Sequence, residues 1–199
     1  MQILLATTNQ GKVQELVHLL SPAAFTIKSL ADFPQIGEIE ETGTTFRENA
    51  LIKARAACQE TGLLTLADDS GLEVDALNGQ PGVHSARYAG EPKDDSRNNA
   101  KLLAALQEIP TESRGARFKS VIAIVTPQGE EFTAEGVCEG AIGLEPKGTG
   151  GFGYDPLFYV SAYAKTFAEL NLAQKNTVSH RGKALRAAAD ILDQLQQKG

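Results

Sequence analysis

Apolar positions along the chain follow two periods. Ile3, Leu4, Leu5 and Ala6 form a short continuous run, the pattern of a buried strand, and polar TTNQGK separates it from Val13, Leu16, Val17 and Leu20 at helical spacing. A strand, a loop and a helix are predicted in that order. A second helix is marked by Thr45 and Glu48, spaced as a capping box, and by Gly62 as its stop. Asn49 and Lys53 share one face of it, leaving Phe46, Ala50, Ala54 and Ala57 to pack inward. LLTLA then reads as a buried strand closed by a turn at DDSG, with LEVDAL as its continuation or a neighbouring strand.

Further on, Ser96 to Leu106 predicts a helix with Leu102, Leu103 and Leu106 on its apolar face. RFKSVIAIVT and EEFTAEGVCEGAIG flank a PQG turn and predict a hairpin. KGTGGFGYDPLFYV reads as a glycine-rich loop entering a strand, and Thr166 with Glu169 repeats the capping-box spacing. The last helix is predicted to start after Ser179, with Leu185, Ala188, Leu192 and Leu195 as its buried stripe. The expectation is an α/β protein with a mixed sheet. No repeat, low-complexity tract or linker breaks the chain, so residues 1–199 are read as one domain.

Composition narrows the function classes. With 42% hydrophobic and 22% charged residues the chain is an ordinary globular protein, and a net charge of −6 with a pI near 5.1 argues against a broad nucleic-acid face. A small anionic ligand needs only a few well-placed cations and stays open. Cys58 and Cys138 form no CxxC, so neither a zinc site nor a disulfide framework is signalled. The N-terminal apolar run is too short for a signal peptide or membrane span. A cytoplasmic protein without a membrane partner is expected.

Four stretches could carry chemistry, and each also has a plain structural reading. TTNQGK is either a polar helix start or a phosphate site, in which unpaired N–H groups and the positive dipole end are joined by Lys12. SHR, residues 179–181, is a solvated helix end or a second cationic helix start. GTGGFG matches G-x-G-x-x-G but leads into a strand rather than a helix, so the dinucleotide reading is rejected. Its glycines suit close approach to a ligand with Phe152 free to stack on a flat ring, or else a turn over a core Phe152. Asp68 and Asp69 are either solvated turn residues or carboxylates for a hard cation, since Mg2+ is typically held by one or two carboxylates plus waters and phosphates. Glu38, Glu40 and Glu41 could join them if the fold brings that loop back.

Taken together, T-x-N-x-x-K (Thr7 to Lys12), EETG-x-TF-x-ENA (Glu40 to Ala50), Lys53, ADDSGL (Ala67 to Leu72), GTGGFGYDP (Gly148 to Pro156) and SHRG (Ser179 to Gly182) resemble the inosine triphosphate pyrophosphatase family, in order and over nearly the whole chain. The resemblance implies an elongated mixed sheet flanked by helices, two lobes around a central nucleotide cleft, a homodimer and Mg2+ dependence. It implies hydrolysis of ITP, dITP and XTP to monophosphate and pyrophosphate. By position, Thr7, Thr8, Asn9, Gln10, Gly11, Lys12 and Lys53 match the triphosphate cradle, with Ser70 nearby. Glu40 and Asp69 match metal-binding positions, and Asp69 the proton acceptor. Phe152, Gly153, Tyr154, Asp155, Lys175, His180 and Arg181 match base-binding positions. Asp68 is support or a second metal contact.

On this reading the repulsion between the paired acids is offset by Mg2+ arriving with the nucleotide and by Lys12 and Lys53. Donors from Arg181, His180 or the 152–155 backbone would favour a 6-oxo purine, because adenine would leave them unpaired. Two rival readings are a phosphatase that releases orthophosphate stepwise and a nucleotide-sensing module or Maf-type relative. ADDSG favours catalysis over sensing, and SHRG with FGYDP favours the purine family.

Overall fold

The computed structural model describes residues 2–19 and 25–198, so Leu20, expected on the first helix's apolar face, lies outside the described residues. The chain divides into two compact units. One comprises Met1–Asp69, Ser120–Gly136 and Arg181–Gly199, and the other Ser70–Lys119 and Val137–His180. Among the described residues seven strands, numbered along the chain, form one mixed sheet in the order β2-β1-β3-β4-β5-β6-β7.

In the first unit, β1 (Gln2–Leu5) pairs in parallel with both β2 (Thr26–Ser29) and β3 (Leu64–Val74), with Ile3 opposite Ile27 and Leu64. Ile3, Leu4 and Leu5 are all fully buried, as a continuous apolar run on a doubly covered strand requires. Helix α1 (Gln10–Leu19) begins where Asn9 caps it: the Lys12 N–H donates to Asn9 Oδ1 at 3.2 Å and the Val13 N–H to the Asn9 carbonyl.

Helix α2 (Phe46–Thr61) has the expected capping box, closed reciprocally by the Thr45 and Glu48 side chains. It stops at Gly62, whose φ of 65° is left-handed and whose N–H reaches the Cys58 carbonyl. Helix α5 (His180–Lys198) lays Ala184, Leu185, Ala188 and Leu192 into one core with Leu16, Leu64, Leu66, Ile122 and Ile124. Ser179 is extended ahead of it (φ −66°, ψ 154°).

The hairpin is present as β4 (Gly115–Val125) and β5 (Glu131–Ile142), with the Thr126 and Gly129 N–H groups closing its turn. In the second unit, β6 (Phe158–Val160) pairs antiparallel with β5, and β7 (Lys165–Thr166) with β6. Helix α3 (Asp95–Ala105) buries Leu102 in a core with Phe118, Phe158 and Phe167. The buried Arg114 guanidinium donates to the Leu106, Ile109 and Gly143 carbonyls, so it serves the fold.

Four elements depart from the sequence reading. DDSG is not a turn, because β3 runs unbroken through it. Helix α4 (Leu172–Val178) was not expected, although Asn171 and Gln174 form a capping box at its start. Strands β2 and β7, four and two residues long, were not expected either.

Candidate functional site

The extended path of β3 decides what the paired acids do. Successive side chains on a strand point to opposite faces, so Asp68 and Asp69 do not stand side by side. Asp68 shares its face with Leu64 and Leu66, which pack against α1 and α5. Its carboxylate receives Lys12 Nζ from α1 at 2.6 Å, Arg181 Nε from α5 at 3.4 Å, and the Ser120 hydroxyl from β4. Arg181 in turn pairs through Nη1 with Glu15 of α1. Asp69 lies on the face of Thr65 and Ala67, over which α2 packs; Lys53 of α2 meets Asp69 Oδ1 at 3.2 Å.

Both lysines also donate to one backbone oxygen, the Asp68 carbonyl, Lys53 at 2.9 Å and Lys12 at 3.5 Å. Glu41 reaches Lys53 at 2.9 Å. The loop after β2 therefore does return, and it brings Glu41 to the lysine while Glu40 stays exposed one residue earlier.

Charge balance sets the two aspartates apart. Burial opposes ionisation of Asp68, but Lys12 and Arg181 overcome it and hold the carboxyl far below the usual range. For Asp69, burial, aided by repulsion from Glu41 and Asp68, outweighs Lys53 and Lys12 and raises the pKa. Burial also disfavours the charged form of Lys53, yet Asp69 and Glu41 more than offset it and raise its pKa. Burial, with repulsion from Lys53 and Arg181, lowers that of Lys12.

Asp69 Oδ2 is shut off from solvent and has no hydrogen-bond partner among the described residues. A buried carboxylate oxygen left in that state is costly, so the position suits a cation. No group of three His, Cys, Asp or Glu among the described residues could hold a metal ion unaided. Mg2+ held partly by water and substrate phosphates requires no such cage, and the oxygen donors here suit a hard cation. Around this point, Thr7 is half-buried and its Oγ1 accepts the Asn9 N–H, Thr8 and Gln10 are exposed, and Gly11 is half-buried in the first turn of α1.

The remaining expected residues belong to the second unit, apart from Arg181. Asp155 Oδ2 accepts the Phe152 N–H at 2.9 Å and pairs with Lys175 Nζ at 2.7 Å; that ammonium lies 5.0 Å from the Phe152 ring centre. Gly151 makes this possible: its φ is +72°, and a Cβ there would sit 1.9 Å from Asp155 Oδ2. His180 stacks on Phe118 with centroids 4.7 Å apart. Tyr154 is a core residue whose hydroxyl donates to the Ser85 carbonyl at 2.7 Å. Ser70 is half-buried on β3.

A model of the Ham1 family matches residues 3–191. The chain belongs to the Ham1 family. One relative, named dITP/XTP pyrophosphatase, from Desulforamulus reducens, is 60% identical over 195 residues, 98% of this chain and 97% of its own length. The structure of a HAM1 protein from Coxiella burnetii superposes with a TM-score of 0.89 at 44% identity, covering 98% of this chain and 99% of that one. A Mycobacterium abscessus structure, named nucleoside-triphosphatase and dITP/XTP pyrophosphatase, gives 0.78 at 50% identity, covering 94% and 98%.

Within this Ham1-family chain, sequence reasoning missed Glu15 and Ser120 and left Glu41 unassigned. Glu15 is one residue from the apolar Leu16, and both are buried. Ser120 could have been found by parity, since it shares a face of β4 with Ile122 and Ile124, which pack in the same core as Leu64 and Leu66. Backbone donors of the loop are another difference. The N–H groups of Phe152, Gly153 and Asp155 bond to Asp155, Asp95 and the Phe152 carbonyl, so the expected reserve of backbone donors for a 6-oxo group is committed inside the protein at these three positions. Arg181 likewise commits Nε and Nη1 to Asp68 and Glu15.

Proposed function

We propose that this chain is a Mg2+-dependent nucleoside-triphosphate pyrophosphatase that hydrolyses ITP, dITP and XTP to the monophosphate and pyrophosphate, clearing deaminated purine nucleotides before they enter DNA and RNA. The names borne by its relatives support the activity class. The single observation that carries the mechanism is Asp69 Oδ2, buried, without a hydrogen-bond partner among the described residues, and attached to a carboxylate held by Lys53.

In this reading Lys12 and Lys53 bind phosphate oxygens, helped by the first N–H groups of α1 at Gln10 and Gly11, which have no partner within the helix. Asp69, with Glu40 or Glu41, would hold Mg2+. When bound, the ion neutralises phosphate charge and lowers the pKa of coordinated water. Asp69 takes the proton from the water that attacks the α-phosphorus. Lys12 and Lys53 stabilise the charge developing on the departing pyrophosphate. At the base end, Phe152 offers a stacking face and Lys175 and His180 the charged and polar groups.

The test is a product assay over ATP, GTP, ITP, XTP and dITP with and without a chelator. Pyrophosphate release that needs Mg2+ and runs at least about a hundredfold faster on ITP than on ATP is expected. Orthophosphate as the first product, or equal rates on ATP and ITP, would overturn the reading. The proposal includes a cytoplasmic homodimer, which sedimentation would check; no helix among the described residues is long and apolar enough to cross a membrane.

A further inference from the structure

Helix α3 carries none of the residues expected in the site, yet its first turns grip the loop that bears Phe152. Asp95 Oδ2 accepts the Gly153 N–H at 2.7 Å, and one turn later Asn99 Nδ2 donates to the Gly153 carbonyl at 3.0 Å. Spaced four apart, the two side chains share one helical face, so both backbone polar groups of Gly153 are held from one side. The rest of the loop is closed by the Phe152–Asp155 bonds, the Asp155–Lys175 pair and the Tyr154 hydroxyl on Ser85.

The Asn99 amide adds a second observation. Its Oδ1 is shielded from solvent and has no hydrogen-bond partner among the described residues. A buried carbonyl oxygen in that state lowers stability. The amide is therefore only half satisfied, and the half that bonds is the donor on Gly153.

We infer that Asp95 and Asn99 are positioning residues that fix the 152–155 loop, and with it the Phe152 ring, for the base of the nucleotide. This rests on the function proposed above. Glycine-rich loops sample many conformations, and ordering one during binding subtracts from affinity. A loop fixed beforehand avoids that loss. Because the base lies away from the reacting phosphate, the effect falls on binding of ground state and transition state alike, and so on KM.

The experiment compares the full chain with Asp95→Ala, Asp95→Asn and Asn99→Leu. It measures KM and kcat for dITP, thermal unfolding, and amide hydrogen exchange at Gly153 without nucleotide. Asp95→Ala should raise KM about tenfold, equivalent to about 1.4 kcal/mol, lower kcat less than threefold, and speed Gly153 exchange. Asp95→Asn keeps an acceptor oxygen and should restore both. Asn99→Leu should raise KM similarly while its melting temperature is no lower than that of the parent.

Unchanged KM and unchanged Gly153 exchange in Asp95→Ala would overturn the inference. So would KM changes that track lost stability without rescue by Asp95→Asn. A parent chain that fails to hydrolyse dITP would refute the proposed function instead, and Gly153 exchange would still decide whether the clamp exists.

Discussion

Replacing each of the two adjacent aspartates by asparagine should have opposite consequences, because the strand sends them to opposite faces. Asp68→Asn removes the negative partner of Lys12 at 2.6 Å and Arg181 at 3.4 Å, in a site where the Asp68 side chain is 0% exposed and that of Arg181 3%. Two buried cations then face a neutral amide, with Glu15 left to balance Arg181. Breaking a buried pair by removing one partner costs about 3–5 kcal/mol. For a chain of this length that is a fall in melting temperature of about 6–20 °C.

Asp69→Asn instead removes a carboxylate whose ionisation burial already disfavours, and the amide oxygen can still accept from Lys53. Glu41 still faces Lys53, so stability should fall by less than in Asp68→Asn, while turnover falls about 100- to 10,000-fold with loss of the proton acceptor. Urea unfolding and pyrophosphate release, measured on both variants, separate the two roles. Asp68→Asn at parental stability would refute the pairing argument. Asp69→Asn with undiminished turnover would refute its assignment as base.

Asp68 also predicts a pH dependence. Its folded pKa lies below the unfolded value near 3.9, so its stabilisation is complete above about pH 4 and is lost as pH falls toward the folded value; the stability gap between parent and Asp68→Asn should narrow below about pH 4 in acid titrations followed by circular dichroism. Gly151→Ala meets both a left-handed φ and Asp155 Oδ2 at 1.9 Å, so it should destabilise by more than the about 1–2 kcal/mol of the backbone conformation alone and weaken nucleotide binding by displacing Asp155 from Lys175, which calorimetry would read. By contrast, Arg55→Ala removes a bidentate pair with Glu131 in which both side chains are well exposed, and unfolding should register only about 0.2–1 kcal/mol.

Much of the architecture was legible because it is written in short-range code. The Thr45–Glu48 box, the Gly62 stop, the hairpin turn and the Thr166–Glu169 box each involve residues within a few positions, and each forms as spaced. The DDSG segment was misread for a related reason. Asp, Ser and Gly have turn chemistry and low strand propensity, but α2 on one face and α1 with α5 on the other supply Lys53, Lys12 and Arg181 as partners, and the strand continues. Context outweighs propensity there. Helix α4 had a readable start at Asn171 and Gln174 but only seven residues, too few to show a helical period.

The residue types of the site, and their likeness to one family, belong to the sequence. Spacing offered Lys12, Asp69 and the glycine-rich loop as candidates, each with a plain structural reading beside it, and the resemblance to one family gave Lys53 and Asp69 their expected roles. Which acid answers which cation was decided only by tertiary structure. Asp68 finds Ser120 across 52 positions and Arg181 across 113, and Arg181 finds Glu15 across 166. No local rule reaches that far. Strand parity, once β3 is extended, turns two neighbouring like charges into an ion-paired anchor on one face and, on the other, a carboxylate with one oxygen unpartnered among the described residues.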